Sequence, residues 1–243
     1  VHICLITPSF PPEVDGGVAV STGRLVERLL GMGHHVTVLT TASSDRPEGS
    51  AGEFTPKKES LSVHYRFVDD PLQDVSAVID LCDWMHVQHR QRPFDIMLAY
   101  FVYPAGYLAT VLGEFLGVPV VSSCRGNDIS KDIFIDPQTV ATVLQRSTRL
   151  IFVSASLLQM AETLVPCRAK ATIVANAVDS RLFVPATTSH SGKPQPVILG
   201  TSGVMRWKKG IDLLLPLVRT LCTTHEIQVL IAGYGLDTTI DLQ

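Results

Sequence analysis

An open, mostly parallel α/β sheet with helices on both faces, followed by the start of a second such sheet, is the fold class predicted for this 243-residue chain. Three observations predict it. Short apolar runs of strand length alternate with amphipathic helical stretches, the rhythm of βαβ units. Two of those runs pass through a glycine-marked turn into a helix: Val1-His-Ile-Cys-Leu-Ile-Thr-Pro8 leads to Asp15-Gly-Gly17, and Val197-Ile-Leu-Gly-Thr-Ser-Gly203 leads to Arg206-Trp-Lys-Lys-Gly210. Between the two copies, residues 184–196 have the Pro, Ser, Thr and Gly content of a linker.

Taken in order, residues 2–7 are short, apolar and closed by the breaker Pro8-Ser-Phe-Pro-Pro12, which makes them a buried strand. A helix is predicted over 18–31. Its residues Val18, Leu25, Val26, Leu29 and Leu30 recur at three- and four-residue steps, and Gly31 and Gly33 supply left-handed conformations to end it. His35-Val-Thr-Val-Leu-Thr40 is the next strand and completes a right-handed βαβ start. Residues 41–60, rich in Ser, Pro, Gly, Lys and Glu, read as a loop. There follow a strand over 62–68, a helix over 73–89, a strand over 95–100, a helix over 104–116 ended by Gly117, and a strand over 118–123. The polar turn Arg125-Gly-Asn-Asp128 leads on to strands at 150–154 and 171–175, with a helix over 155–164 between them.

The domains are therefore 1–183, a linker at 184–196, and a second domain at 197–243. That second domain offers strands at 197–203 and 228–232 and one helix at 210–222, in which Pro216 removes a hydrogen bond and should cause a bend. Two strands and one helix cannot cover both faces of a parallel sheet, so the second domain is expected to be cut short. No repeat of 20–50 residues is present. In open parallel sheets ligands sit beyond the C-terminal strand ends. That edge carries Gly16, Gly17, Tyr100, Arg125, Asp128 and Asn176.

Composition removes several classes. A net charge of −3 supplies no basic field for nucleic acid. Five cysteines without C-x-x-C spacing argue against zinc and a disulfide framework, and fit a reducing cytoplasm. No apolar run reaches the ~18–20 residues a membrane span needs. There is no basic leader ahead of the first strand, and the missing initiator methionine suggests that a few residues precede Val1. No G-x-G-x-x-G follows the first strand, which disfavours a dinucleotide oxidoreductase.

What remains is anion chemistry. A strand–turn–helix corner presents backbone N–H groups and a helix dipole to a negative ligand. Two such corners facing each other across a hinge suit a diphosphate in the middle of a ligand, and a nucleotide-activated sugar is such a ligand. Arg206 and Lys209 are either ordinary charges on a solvated helix start or, because cations there run against the dipole, a sign of an anionic ligand; Lys208 reads as a surface residue.

Six segments, in order and well separated, resemble the GT-B retaining glycosyltransferases of family 4. They are Pro11-Pro-Glu-Val-Asp-Gly-Gly17, Tyr103-Pro-Ala-Gly-Tyr107, Gly126-Asn-Asp128, Val153-Ser154, Asn176-Ala-Val-Asp179 with Phe183, and Gly203-Val-Met-Arg-Trp-Lys-Lys-Gly210. The resemblance runs over nearly the whole chain. It implies a complete Rossmann-like acceptor domain, then part of a donor domain. It implies transfer of a hexose from a UDP- or GDP-linked donor to a hydroxyl of a glycan, lipid or metabolite, with retained configuration and neither metal nor cofactor. The departing phosphate would take the acceptor's proton.

By the same resemblance, Gly16 and Gly17 approach the donor diphosphate or the acceptor, while Arg206 and Lys209 grip the diphosphate as the sugar leaves. Gly203 joins that site, and Gly233 and Gly235 pass near the base or ribose. Three positions depart from the family pattern. Arg125 stands where many relatives have histidine; it cannot act as a base but can hold an anionic acceptor or phosphate. Leu98 and Tyr100 also stand where histidines are frequent, and Ala177 replaces a glycine. A glutamate pair spaced eight apart is expected beyond Gln243, so the chain is expected to be truncated and inactive alone.

Blander readings stand beside these. Arg125, Asn127 and Asp128 form either an Asx turn with a helix cap or an acceptor contact. His34, His35, His86 and His89 read as structural or exposed. The run His86-Val-Gln-His-Arg-Gln-Arg92 is a solvated helix end, with peripheral contact to anionic lipid as the second reading. Ser154 reads as a packing and capping residue, since no G-x-S-x-G elbow surrounds it. Two other functions share the architecture: a sugar-nucleotide epimerase, which would need acidic and histidine groups for proton abstraction, and a non-catalytic acceptor-binding module.

Overall fold

The computed structural model describes residues 1–12, 17–41, 59–66, 68, 70–185, 197–203 and 210–233. They fall in two compact units, Val1–Val178 and Asp179–Gln243. In the first unit the strands are β1 (His2–Thr7), β2 (His35–Thr40), β3 (Leu61–Tyr65), β4 (Ile96–Tyr100), β5 (Val120–Cys124), β6 (Arg149–Phe152) and β7 (Ala171–Ile173). The helices are α1 (Gly17–Gly31), α2 (Val75–Gln91), α3 (Tyr107–Leu116), α4 (Asn127–Ser130), α5 (Asp132–Ile135), α6 (Pro137–Arg146) and α7 (Ala155–Glu162). The strands form one parallel sheet in the order β3-β2-β1-β4-β5-β6-β7.

β1 lies between β2 and β4 and all six of its residues are buried, which is why it reads as an unbroken apolar run rather than an alternating one. Its pleat serves two cores. Cys4 and Ile6 pack with Leu81 and Met85 of α2 and Leu108 and Leu112 of α3. Leu5 belongs with Val36, Val38, Phe10 and Val26 of α1. A third core joins Leu150 and Phe152 of β6 to Val140, Val143 and Leu144 of α6 and Leu157 and Leu158 of α7.

Several boundaries differ from the sequence reading, each for a local reason. The helix expected over 104–116 begins at Tyr107, preceded by a π-type turn over 102–106 in which Tyr103 is extended. Proline at 104 disfavours helical backbone at the residue before it. β5 begins at Val120 because Pro119 has no N–H for the ladder, and its carbonyl instead accepts from Met97 N. The three helices between Gly126 and Ser147 are absent from the sequence reading. α6 carried the signal: the Asp136 carboxylate accepts from Thr139 N, Pro137 opens the helix, and Val140, Val143 and Leu144 share a face. Other expectations hold. Gly117 ends α3 in the left-handed conformation at φ 68°, and Ser154 caps α7 by accepting from Leu157 N. The loop reading of 41–60 lies mostly outside the described residues.

His2 makes the stability of this sheet pH-dependent. Its ring is buried; Nδ1 donates to the Pro93 carbonyl at 3.0 Å, and Nε2, 2.9 Å from the Thr37 hydroxyl, can accept from it when the ring is neutral. That arrangement suits the neutral imidazole. Burial lowers the His2 pKa, against the opposing effect of the Pro93 carbonyl, and burial likewise lowers that of His64 on β3. A histidine whose folded pKa lies below its unfolded value stabilises fully above about 6.5 and loses that contribution as pH falls through the folded pKa. Urea denaturation should therefore show lower stability at pH 5.5 than at pH 7.5. The difference should shrink in His2→Gln, and an unchanged pH dependence would refute the assignment.

The second unit pairs β8 (Val197–Ser202) with β9 (Ile227–Ala232) in parallel, with α8 (Ile211–Leu221) between them in sequence. α8 runs through Pro216 without interruption. Ile198, Leu213, Leu217 and Leu230 remain exposed. Among the described residues no helix is long and apolar enough to cross a membrane.

Candidate functional site

Strand order reverses between β1 and β4, the switch point at which open parallel sheets form their ligand crevice beyond the C-terminal strand ends. Tyr100 is the last residue of β4. Its ring is buried, and its hydroxyl donates to Ser21 Oγ of α1 at 2.6 Å, joining the two walls. The Arg125 guanidinium carbon lies 4.5 Å from the centre of the Tyr100 ring. Arg125 Nη2 donates to Asn176 Oδ1 at 2.6 Å. Three residues predicted from sequence, from the end of β4 and the connections after β5 and β7, are thus brought into one contact group. A ring face and an amide oxygen fix the direction of a planar cation far better than water does.

Asp128 stands behind Arg125. Its carboxylate is 3% exposed and accepts backbone N–H groups from Arg125 (3.0 Å), Gly126 (2.6 Å) and Val102 (3.2 Å). It clips the connection after β5 to the one after β4. Burial holds its pKa above the ordinary aspartate value, while the three N–H bonds pull the other way. These oxygens anchor backbone on two connections, while α4 has no side-chain cap, so the cap reading from the sequence does not describe what they do. Neighbouring Cys124 is fully buried, and burial pushes its thiol pKa well up, so it is no nucleophile. Asn127 is exposed at the start of α4, and its carbonyl accepts from Lys131 N. At Gly17 an added Cβ meets nothing within 4 Å among the described residues, so packing there does not demand glycine.

Sequence reasoning missed Phe101 and Ser21. Phe101 holds φ 88° and ψ 155°, a left-handed-side conformation costing a non-glycine residue about 1–3 kcal/mol. Its N–H donates to the Ser123 carbonyl at 3.0 Å, and its ring meets that of Tyr100 edge-on. Such strain has no sequence signature in a phenylalanine. Ser21 offered only a polar residue one turn into α1. Beside them the Tyr103 hydroxyl donates to Asp70 Oδ1, a bond that lowers the Asp70 pKa; burial foremost, and then this bond, raise that of Tyr103.

In the second unit, Gly203 and Gly233 follow β8 and β9 and lie side by side, Gly203 N donating to the Ala232 carbonyl at 2.9 Å. Gly203 has φ 114°, which side-chain-bearing residues rarely adopt. Gly16, Arg206, Lys209 and Gly235 lie outside the described residues.

A parallel sheet with its switch point between β1 and β4, and a second βαβ element after it, define the class: a two-domain α/β protein of the GT-B type. Residues 15–182 match Glycosyltransferase Family 4, and the chain belongs to that family. No protein of curated function matches it in sequence. Among solved structures it is similar to sucrose-phosphate synthase from Thermosynechococcus elongatus, at 13% identity and TM-score 0.70, over 99% of this chain and 64% of that one. It is similar to the lipopolysaccharide outer core galactosyltransferase WaaB in its apo form, at 12% identity and TM-score 0.65, over 98% and 69%. HepE of Anabaena, solved with UDP-glucose, gives 15% identity and TM-score 0.65, over 98% and 62%. At such identities the likeness is one of fold. The chain spans less than two thirds of the length of the first and third of these structures.

Proposed function

We propose that this chain carries the acceptor domain and the opening part of the donor domain of a hexosyltransferase using a UDP- or GDP-linked sugar. The observation that carries the reading is the contact group of Tyr100, Arg125 and Asn176 at the sheet edge beside the β1/β4 switch point, anchored by Asp128. Membership of Glycosyltransferase Family 4 supports it, as does a fold shared with HepE, whose structure holds UDP-glucose.

Acceptor binding is assigned to the first unit, with Gly16, Gly17 and Asn127 completing the contacts. Diphosphate binding is assigned to Gly203, Arg206 and Lys209, and base or ribose contact to Gly233 and Gly235. Fixed positive charge at the departing diphosphate would supply the main catalytic term. We assign retention of configuration. In this reading the acceptor hydroxyl attacks on the face the diphosphate leaves, and a phosphate oxygen takes its proton. Asp128 fits that reading, because its oxygens are engaged by three backbone N–H groups rather than aimed at a sugar carbon.

Calorimetric titration with UDP and with GDP, on a chain extended through the rest of the donor domain, tests the proposal. One nucleotide should bind saturably, and Lys209→Ala should weaken it about tenfold, as loss of a charge-assisted contact does. Absence of binding by both nucleotides would overturn it. Retention is read separately, from the proton coupling constant at the anomeric carbon of any glycoside formed.

A further inference from the structure

We propose that the crevice takes an acceptor bearing an oxyanion, a phosphate or a carboxylate, and that Arg125 is the residue that grips it. This deepens, and rests on, the reading of the first unit as the acceptor side. The argument begins with what holds Arg125. Its guanidinium stacks over the Tyr100 ring at 4.5 Å and donates through Nη2 to Asn176 Oδ1 at 2.6 Å. Both partners are neutral. The arginines Arg146, Arg168 and Arg181 each pair with a carboxylate, of Glu114, Glu162 and Asp179. Arg125 has no carboxylate partner among the described residues. The carboxylate closest to it in sequence, Asp128, bonds the backbone N–H of Arg125 and not its side chain.

Among the described residues the cation is therefore oriented without being neutralised. Tyr100 is itself held, buried at 4% exposure with its hydroxyl on Ser21, so the ring beneath the guanidinium is positioned by its own contacts. Asn176 reaches it from 51 residues away along the chain. Much of the entropy of ordering a long side chain has thus been lost before any ligand arrives, which favours a ligand matched to the fork. The remaining N–H donors form a planar array that fits two oxygens of a phosphate or carboxylate, a geometry that lysine and histidine cannot reproduce. A latch serving only to hold the β7 connection would not need a permanent charge.

Titration of the full chain with glucose 6-phosphate, glucuronate and glucose, in low-salt buffer, tests this. At least one anionic sugar should bind about tenfold more tightly than glucose, and Arg125→Gln should abolish that difference while leaving the melting temperature unchanged. Arg125→Lys should restore only part of it. Asn176→Ala keeps the charge but frees the fork, and should weaken the anionic sugar about threefold more than it weakens glucose. Equal affinity for all three sugars, undetectable binding included, overturns the proposal, as does an anionic preference that survives Arg125→Gln. If UDP displaces the anionic sugar and UDP binding also falls with Arg125→Gln, the arginine holds the donor diphosphate and the acceptor assignment is wrong. Absent nucleotide binding together with an Arg125-dependent anion preference would overturn the transferase reading alone. Normal UDP binding without that preference would overturn this one alone.

Discussion

Asp128→Ala should destabilise the first unit by about 3–4 kcal/mol in urea denaturation, since each buried N–H left without an acceptor costs about 1–3 kcal/mol. Three lose theirs at once: those of Arg125, Gly126 and Val102. The loss does not stay local. Val102 follows the strained Phe101 at the end of β4, and Arg125 follows β5, so the clip that sets the spacing of the two crevice walls is removed. Asp128→Asn retains one acceptor oxygen and should cost about 1–2 kcal/mol. A purely ligand-contacting Asp128 predicts otherwise: both variants would unfold at the wild-type midpoint and differ only in binding. That result would refute the anchoring role.

The second large effect lies away from the crevice. Gly113→Val should cost about 3 kcal/mol, the upper end of what overpacking a tight core exacts. A Cβ at Gly113 of α3 would overlap Val120 Cγ2 and come within 2.8 Å of the Val118 carbonyl oxygen. Neither obstacle can yield easily. Val118 belongs to the turn that closes α3, its N–H donating to the Gly113 carbonyl at 2.9 Å, and Val120 pairs with Met97 in the sheet. Gly113→Ala should cost less, about 1–2 kcal/mol. Wild-type stability in Gly113→Val would mean that α3 shifts freely on the sheet, contrary to the burial of Leu108, Ala109 and Leu112.

How legible each part was follows from the range of the interactions behind it. β1, β2 and α1 could be read to within a residue, because a buried central strand has to be apolar along its whole length and an amphipathic helix repeats its apolar face. β7 was read too long at 171–175 because an edge strand has one neighbour, and after Ile173 only the Val174 N–H still reaches the Phe152 carbonyl. The helices after Arg125 were missed although Asp136-Pro137 marks a helix start, since α4 and α5 are single turns with no periodicity to detect. In the site, Tyr100, Arg125 and Asn176 could be nominated from their places at strand ends, but not their contacts with one another.

From the residues alone came the parallel α/β class, the family and the crevice edge, because burial and strand–helix alternation are written in local composition. Only the folded chain decided that Asp128 is an anchor and that Arg125 is aimed by a ring and an amide from distant segments. The physical reason is that a side chain's partner depends on which loops the sheet order brings together. β4, β5 and β7 meet at one edge only after the long-range pairing of strands is complete.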